Sequence, residues 1–207
     1  MIYFDEMGLA EHSKFNPLKT IHAELELDEN DINKKISFVG ISNWSLDASK
    51  MNRGIHISIP DLDREDNIET ALTIAESYKE NLTNSDILIN FFKNLGNTYF
   101  EYKKELKTNI NIDWKKEFHG HRDFYFFVKI CAKIILLNLT HKKANIEKDY
   151  WLAGFESIER NFSGLEFDDG TSVEKVKAIY EKAMPENISN SINKTNKPDV
   201  VKLIQDN

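Results

Sequence analysis

Met1-Ile2-Tyr3-Phe4-Asp5-Glu6 decides the reading of this chain. Four apolar residues run directly into two carboxylates. A short apolar run of this kind fits a buried strand of a parallel sheet. A carboxylate at the carboxyl end of such a strand points into the crevice where ligands bind. In nucleotide hydrolases this pattern delivers an acid pair to a magnesium-phosphate site. The glycine-rich loop that cradles the phosphates normally lies well upstream of that strand. Here no G-x-x-x-x-G-K-[ST] occurs anywhere. The chain therefore reads as the second half of an ATPase module.

Further along, Pro17 opens a helical pattern over residues 16–27, with Leu18, Ile21 and Leu25 on one face. Residues 35–42 read as a second buried strand through Ile36, Phe38, Val39 and Ile41. Residues 47–52 read as a short helix, with Asp47 as its N-cap. Ile55-His56-Ile57-Ser58-Ile59 alternates as a third strand that Pro60 ends. After Pro60 the periodicity changes to 3.6. Ile68, Ala71, Leu72, Ala75, Tyr78 and Leu82 share one stripe, and Ile87, Phe91, Leu95 and Tyr99 share the next. Residues 122–138 are apolar on nearly every side, which predicts the central helix of a bundle. Two more helices are expected over residues 150–162 and 173–183. From Pro185 onward the Asn-rich sequence reads as a frayed tail.

The expected fold class is α/β: a partial AAA+ P-loop NTPase core, with a parallel sheet lacking the Walker A strand, followed by an all-helical lid. Residues 1–62 form the core half, 63–185 the lid and 186–207 the tail.

Composition bounds the function. The 207 residues carry a net charge of −7, which disfavours a dedicated nucleic-acid binder because no excess of cations is available to neutralise phosphates. The single cysteine, Cys131, excludes an internal disulfide and a cysteine-rich zinc module. The start lacks a signal-peptide pattern. The most apolar run, residues 124–139, is broken by Lys129 and Lys133 and is shorter than the roughly 20 residues a membrane-spanning helix needs. These features describe a soluble cytoplasmic chain.

Four places carry candidate chemistry. Asp5 is placed to hold Mg²⁺ through water, and Glu6 to orient and polarise an attacking water. An acidic turn after any strand is the plainer reading. Asn43 follows an apolar strand as Asp5 does, so both polar groups converge on one crevice. Its neutral amide can hydrogen-bond the attacking water or the terminal phosphate without adding negative charge. Strand-end asparagines are also common in turns. Arg53, in Lys50-Met51-Asn52-Arg53-Gly54, can project into a neighbour's phosphate site, or be a surface arginine before a turn glycine. Arg122, in His119-Gly120-His121-Arg122-Asp123, can reach from the lid to the nucleotide, or pair with Asp123. His119 and His121 lack further metal ligands. Cys131 reads as inert core. Gly164, after Arg160-Asn161-Phe162-Ser163, reads as a helix cap.

Taken in order, Asp5-Glu6-Met7-Gly8-Leu9-Ala10-Glu11, Pro17-Leu18-Lys19, Gly40-Ile41-Ser42-Asn43-Trp44-Ser45-Leu46-Asp47, Lys50-Met51-Asn52-Arg53-Gly54, Arg122-Asp123-Phe124-Tyr125 and Arg160-Asn161-Phe162-Ser163-Gly164 resemble the mysterin family. Its members are giant RING-finger E3 ubiquitin ligases with a dynein-like core of tandem AAA+ units. The resemblance covers most of the first 165 residues. It implies ATP and Mg²⁺ as ligands, Walker B for Asp5 and Glu6, sensor 1 for Asn43, the arginine finger for Arg53 and sensor 2 for Arg122. It also implies neighbouring AAA+ units as partners, and protein clients or ubiquitin machinery. The chain departs from the family in lacking a Walker A loop and any RING ligand cluster, so ligase activity does not carry over. A truncated or split gene is one expectation from Met1 standing at the first strand. Two further readings remain open: an inactive AAA-derived interaction scaffold, and a helical adaptor unrelated to ATPases. The last requires Asp5 and Asn43 to lie on non-adjacent strands.

Overall fold

A computed structural model describes residues 1–15, 17–20, 37–43, 46–52, 54–78, 85–140 and 146–192. The chain divides into two compact units, Met1–Pro60 and Asp61–Asn207.

The first unit contains strand β1 (Ile2–Phe4), a 3-10 helix (Met7–His12), strand β2 (Phe38–Gly40) and the short helix α1 (Ala48–Met51). β1 and β2 pair in parallel, with Ile2 opposite Phe38, Tyr3 opposite Val39 and Phe4 opposite Gly40. The ladder extends past both strands: Ile2 N–H donates to Ser37 O at 2.8 Å and Ile41 N–H donates to Phe4 O at 2.9 Å. Met7 packs closely over Gly40: a Cβ at that position would meet Met7 Sδ at 2.3 Å, so a larger residue there would make the flexible Met7 side chain move. The two strands are more open than the sequence suggests: Ile2, Tyr3, Val39 and Ile41 are all exposed. The expected third strand is not formed. Residues 55–60 carry no regular structure, and Ile55, Ile57 and Ile59 are 95%, 79% and 87% exposed. A strand exists only when its backbone groups find a ladder, and none of the described residues provides one. Most of the helix expected over 16–27 lies outside the described residues; Leu18, within them, is buried.

The second unit is built from α2 (Arg64–Tyr78), α3 (Asp86–Asn109), α4 (Asp113–Glu117), α5 (His121–Thr140), α6 (Ile146–Asn161), a hairpin of β3 (Glu166–Phe167) and β4 (Gly170–Thr171), α7 (Ser172–Lys182) and α8 (Glu186–Ile192). α2 starts with a reciprocal cap. Asp66 N–H donates to Asp63 Oδ1 at 2.8 Å, and Asp63 N–H donates to Asp66 Oδ2 at 3.0 Å. Its inner face, Asn67, Ala71 and Ala75, is short, so α3 approaches closely at Gly96. Ser85 caps α3 by accepting from Leu88 N–H at 3.2 Å. Along α3, Leu88, Phe91, Phe92, Leu95, Tyr99, Tyr102 and Leu106 are buried at helical spacing.

The hub of this unit is α3, which packs against α2, α4, α5, α6 and α7. The sequence assigned that place to α5. α5 packs on α2, α3 and α6 but leaves Tyr125, Phe126 and Leu137 exposed, so its apolar circumference is not wholly buried. Gly164, at φ +94°, lies in the linker that follows α6, in a conformation that L side chains rarely adopt. Thr171 and Glu174 form a capping box for α7. Past Pro185 the chain continues as α8, and Ile188 is buried in the core cluster. The frayed-tail expectation therefore fails for Glu186–Ile192, because Ile188 in the core cluster and Ile192 packed against it anchor an otherwise polar turn. Residues 193–207 lie outside the described residues.

Candidate functional site

The parallel pairing of β1 and β2 sets two strand ends side by side. Asp5 follows β1 directly, and Asn43 lies three residues beyond the end of β2. Beyond the ladder, Met7 N–H donates to Ile41 O at 2.8 Å, which ties the turn carrying Asp5 and Glu6 to the segment leading into Asn43. Asp5, Glu6 and Asn43 are all exposed. The arrangement required by an unrelated helical adaptor, with Asp5 and Asn43 on non-adjacent strands, is not observed.

Glu6 has an unusual backbone. At φ 50° and ψ 41° it occupies the left-handed region, and among the described residues it is the only non-glycine with positive φ. The turn is held from both sides. Glu6 N–H donates to Asp5 Oδ1 at 2.9 Å, and Leu9 N–H donates to Glu6 O at 2.9 Å. A left-handed glutamate costs about 1–2 kcal/mol, and such strain concentrates where a side chain must be aimed. Asp5 keeps a second carboxylate oxygen beyond the one that accepts from Glu6. A single exposed carboxylate completed by water is a donor set that suits Mg²⁺.

Arg53 lies outside the described residues. Arg122 belongs to the second unit, on the first turn of α5, and is exposed. Asp123 does not hold it: the Asp123 carboxylate turns back to accept from Gly120 N–H at 2.9 Å. Among the described residues the Arg122 guanidinium has no hydrogen-bond or ion-pair partner. No group of three or more potential metal ligands occurs among the described residues.

His119 is not poised for metal. It is buried, its Nδ1 lies 2.8 Å from the Tyr102 hydroxyl and its Nε2 lies 3.2 Å from Ser163 O. Burial pulls its pKa below the usual imidazole value. The neutral ring therefore accepts from Tyr102 and donates to Ser163. Cys131 is buried, and burial raises its thiol pKa, so it is inert as expected. Sequence reasoning missed this His119 network, and it missed the buried Asn67 side chain. For Asn67 one signal was present, the D-x-x-D cap of Asp63 and Asp66 immediately before it. For His119 none was, since Tyr102 and Ser163 lie far from it in sequence.

An acid pair and an amide just past adjacent parallel strands, followed by a helical unit, are consistent with an AAA-type domain. In keeping with this, residues 1–66 match the family model described as the RNF213 AAA domain and belong to that family. RNF213 is the protein also called mysterin. The chain is 34% identical over 168 residues to the human E3 ubiquitin-protein ligase RNF213, covering 79% of this chain and 3% of the relative. It is 32% identical to zebrafish E3 ubiquitin-protein ligase rnf213-beta over an alignment spanning 100% of this chain and 4% of that protein. The mouse RNF213 ligase is 37% identical over 134 residues, covering 63% of this chain and 2% of the relative. The chain thus spans only a few per cent of the length of these curated relatives. No solved structure matches it. No helix among the described residues is long and apolar enough to cross a membrane.

Proposed function

We propose that the chain is a segment of a mysterin-like AAA+ ATPase module, one that couples ATP–Mg²⁺ binding and hydrolysis to conformational change within an E3 ligase-type motor. The observation that carries the reading is the parallel register that sets Asp5-Glu6 beside the segment leading to Asn43, with Glu6 held in a left-handed backbone. Asp5 holds hydrated Mg²⁺, and Glu6 orients and polarises water. Asn43 hydrogen-bonds that water or the terminal phosphate. Bound magnesium supplies charge neutralisation of the phosphates. Arg53 acts as an arginine finger on the next AAA+ unit. Arg122 acts as sensor 2 and couples the nucleotide's charge to closure of the helical unit. The partners are neighbouring AAA+ units and, through them, clients or ubiquitin machinery in the cytoplasm.

The sequence of this chain supplies no phosphate-cradling loop. By itself it turns over ATP slowly or not at all, because positioning provides most of the catalysis in phosphoryl transfer. The test is ATP hydrolysis in the longest natural chain that carries these residues. Glu6→Gln is expected to lower turnover by about 100-fold or more while nucleotide binding persists. Arg122→Ala is expected to weaken the response of turnover to ATP without unfolding the helical unit. Unchanged turnover in Glu6→Gln would leave the scaffold reading, with Asp5 and Asn43 as relics. Robust hydrolysis by residues 1–207 alone, abolished by Glu6→Gln, would refute the requirement for the missing loop.

A further inference from the structure

The outer faces of α2 and α5 carry opposite charge at matching spacing. On α5, Arg122, Phe126, Lys129 and Lys133 share one narrow arc at about 100° per residue. The arc lies opposite the buried Phe124, Val128, Cys131 and Ile135. Phe126 is 50% exposed, and Lys129 Nζ lies 5.6 Å from its ring centre. The single acid in the sequence of α5, Asp123, turns back to Gly120 N–H. A chain of net charge −7 thus presents a basic, partly aromatic stripe along this helix.

α2 presents the complement. Glu65, Glu69, Leu72 and Glu76 share one arc, opposite the buried Asn67, Ala71 and Ala75. The three glutamates are exposed and Leu72 is half-buried. The cation of this helix, Arg64, lies off that arc and pairs with Glu101. Among the described residues Glu65, Glu69, Lys129 and Lys133 have no ion-pair partner. Within one copy both stripes turn away from the packed interior, and no ion pair among the described residues joins them.

The register is what matches. From Arg122 down α5 the steps are four, three and four residues, and from Glu76 back up α2 they are the same. Both helices rise about 1.5 Å per residue. Laid antiparallel, they set Glu76 against Arg122, Leu72 against Phe126, Glu69 against Lys129 and Glu65 against Lys133. Laid parallel, they would set Leu72 against Lys129 and Glu69 against Phe126, so only the antiparallel arrangement pairs charge with charge and apolar with apolar.

We infer that the outer face of α5 is an interface that receives α2 of a second copy of this chain, antiparallel. The two halves of the contact lie on different helices, so it is heterologous and each copy both gives and receives. Exposed ion pairs are individually weak and are screened by salt, so the association is weak and salt-sensitive. Lys129, Lys133, Glu65 and Glu69 have no part in the nucleotide site, and they test the interface separately from the role proposed for Arg122.

Sedimentation equilibrium of the whole chain reads this out. At about 0.05 M salt the average mass is expected to exceed that of one chain and to rise with concentration, and at about 0.5 M to fall back towards it. Lys129→Glu with Lys133→Glu is expected to weaken association by about tenfold or more, and so is Glu65→Lys with Glu69→Lys. Mixing the two double variants is expected to restore it, because the acidic α5 of one then meets the basic α2 of the other. Neither unfolding of a variant nor aggregation through the exposed isoleucines produces that rescue. A monomeric parent at both salts, association untouched by either reversal, or a mixture that stays monomeric overturns the interface. A monomeric parent that cosediments with phosphatidylserine vesicles also overturns it, and gives the stripe to an anionic lipid surface.

Discussion

The Tyr102 hydroxyl and His119 Nδ1 meet at 2.8 Å inside the helical unit, 17 residues apart in sequence. The other face of the imidazole closes on Ser163 O at 3.2 Å, in the segment that follows α6. One neutral ring therefore fastens α3 and the turn before α5 to the linker that leads into the hairpin. Phe162 packs against the same group, edge-on to Tyr102 at 5.6 Å and to Phe127 at 5.4 Å.

This arrangement makes the helical unit sensitive to acid. Burial lowers the His119 pKa in the folded state, opposed by the Ser163 carbonyl and Asp123 and assisted by Lys103. Above the unfolded imidazole value of about 6.5 both states are neutral, and the stabilising network is fully present. As pH falls through that value the unfolded chain takes up a proton first. Stability is then lost progressively until the folded ring also protonates. Urea unfolding between pH 8 and pH 5 should show this decline, and His119→Gln should flatten it. Tyr102→Phe should cost about 1–2 kcal/mol at neutral pH, because it leaves Nδ1 buried and unpaired.

Glu6 separates strain from chemistry. Replacing it by glycine relieves a left-handed backbone that only glycine adopts freely. Glu6→Gly should therefore stabilise the first unit by about 1 kcal/mol, while Glu6→Gln should leave stability unchanged. Hydrogen exchange of the Met7 and Ile41 amides, which lie in the turn and the adjoining ladder, reads this out locally. Slower exchange in Glu6→Gly than in Glu6→Gln is the expected result, and the reverse order would show that the turn is not strained.

The long helices of the second unit, α2, α3, α5, α6 and α7, were legible because each buries a face at helical spacing, as in Leu88, Phe91, Phe92, Leu95 and Tyr99. β1 was legible because four apolar residues end sharply in acid. The Ile55–Ile59 alternation carried an equally clear local signal, yet no strand formed, because pairing depends on a partner that local pattern cannot supply. The hairpin at Glu166–Thr171 was invisible for the opposite reason: two residues per strand leave no period to detect. α8 was hidden by its Asn- and Ser-rich sequence. The candidate acids and amide were legible as residue types at strand ends. The buried, unpartnered Asn67 Oδ1 and Tyr99 hydroxyl were not, since only tertiary packing isolates them.

The α2–α3 contact offers a steric test. A Cβ at Gly96 would lie 2.8 Å from Asn67 O and Ile68 Cα, both backbone atoms that cannot swing aside. A Cβ at Gly120 would meet nothing within 4 Å. Gly96→Ala should therefore destabilise the helical unit by about 1–3 kcal/mol despite the better helix propensity of alanine. Gly120→Ala should change it by less than about 0.5 kcal/mol. Paired thermal melts distinguish the two, and equal melting temperatures would mean that Gly96 does not pack directly on the Asn67–Ile68 backbone.

The exposed isoleucines predict how the chain fails in solution. Ile55, Ile57 and Ile59 bury almost nothing, so they contribute little to folding while presenting a β-branched, unpaired segment to other chains. The helical unit, by contrast, has an aromatic-rich buried core, drawn among the described residues from Ala71 to Ile188. Unfolding in urea should accordingly show a weak early change from the first unit and a separate, stronger transition from the helices, rather than one cooperative step. Ile57→Lys should leave the helical transition within about 0.5 kcal/mol of the parent and reduce aggregation measured by light scattering on storage. A loss of helical stability in Ile57→Lys would mean that this segment is buried in the native state, and a single steep transition for the whole chain would mean that the two units fold as one.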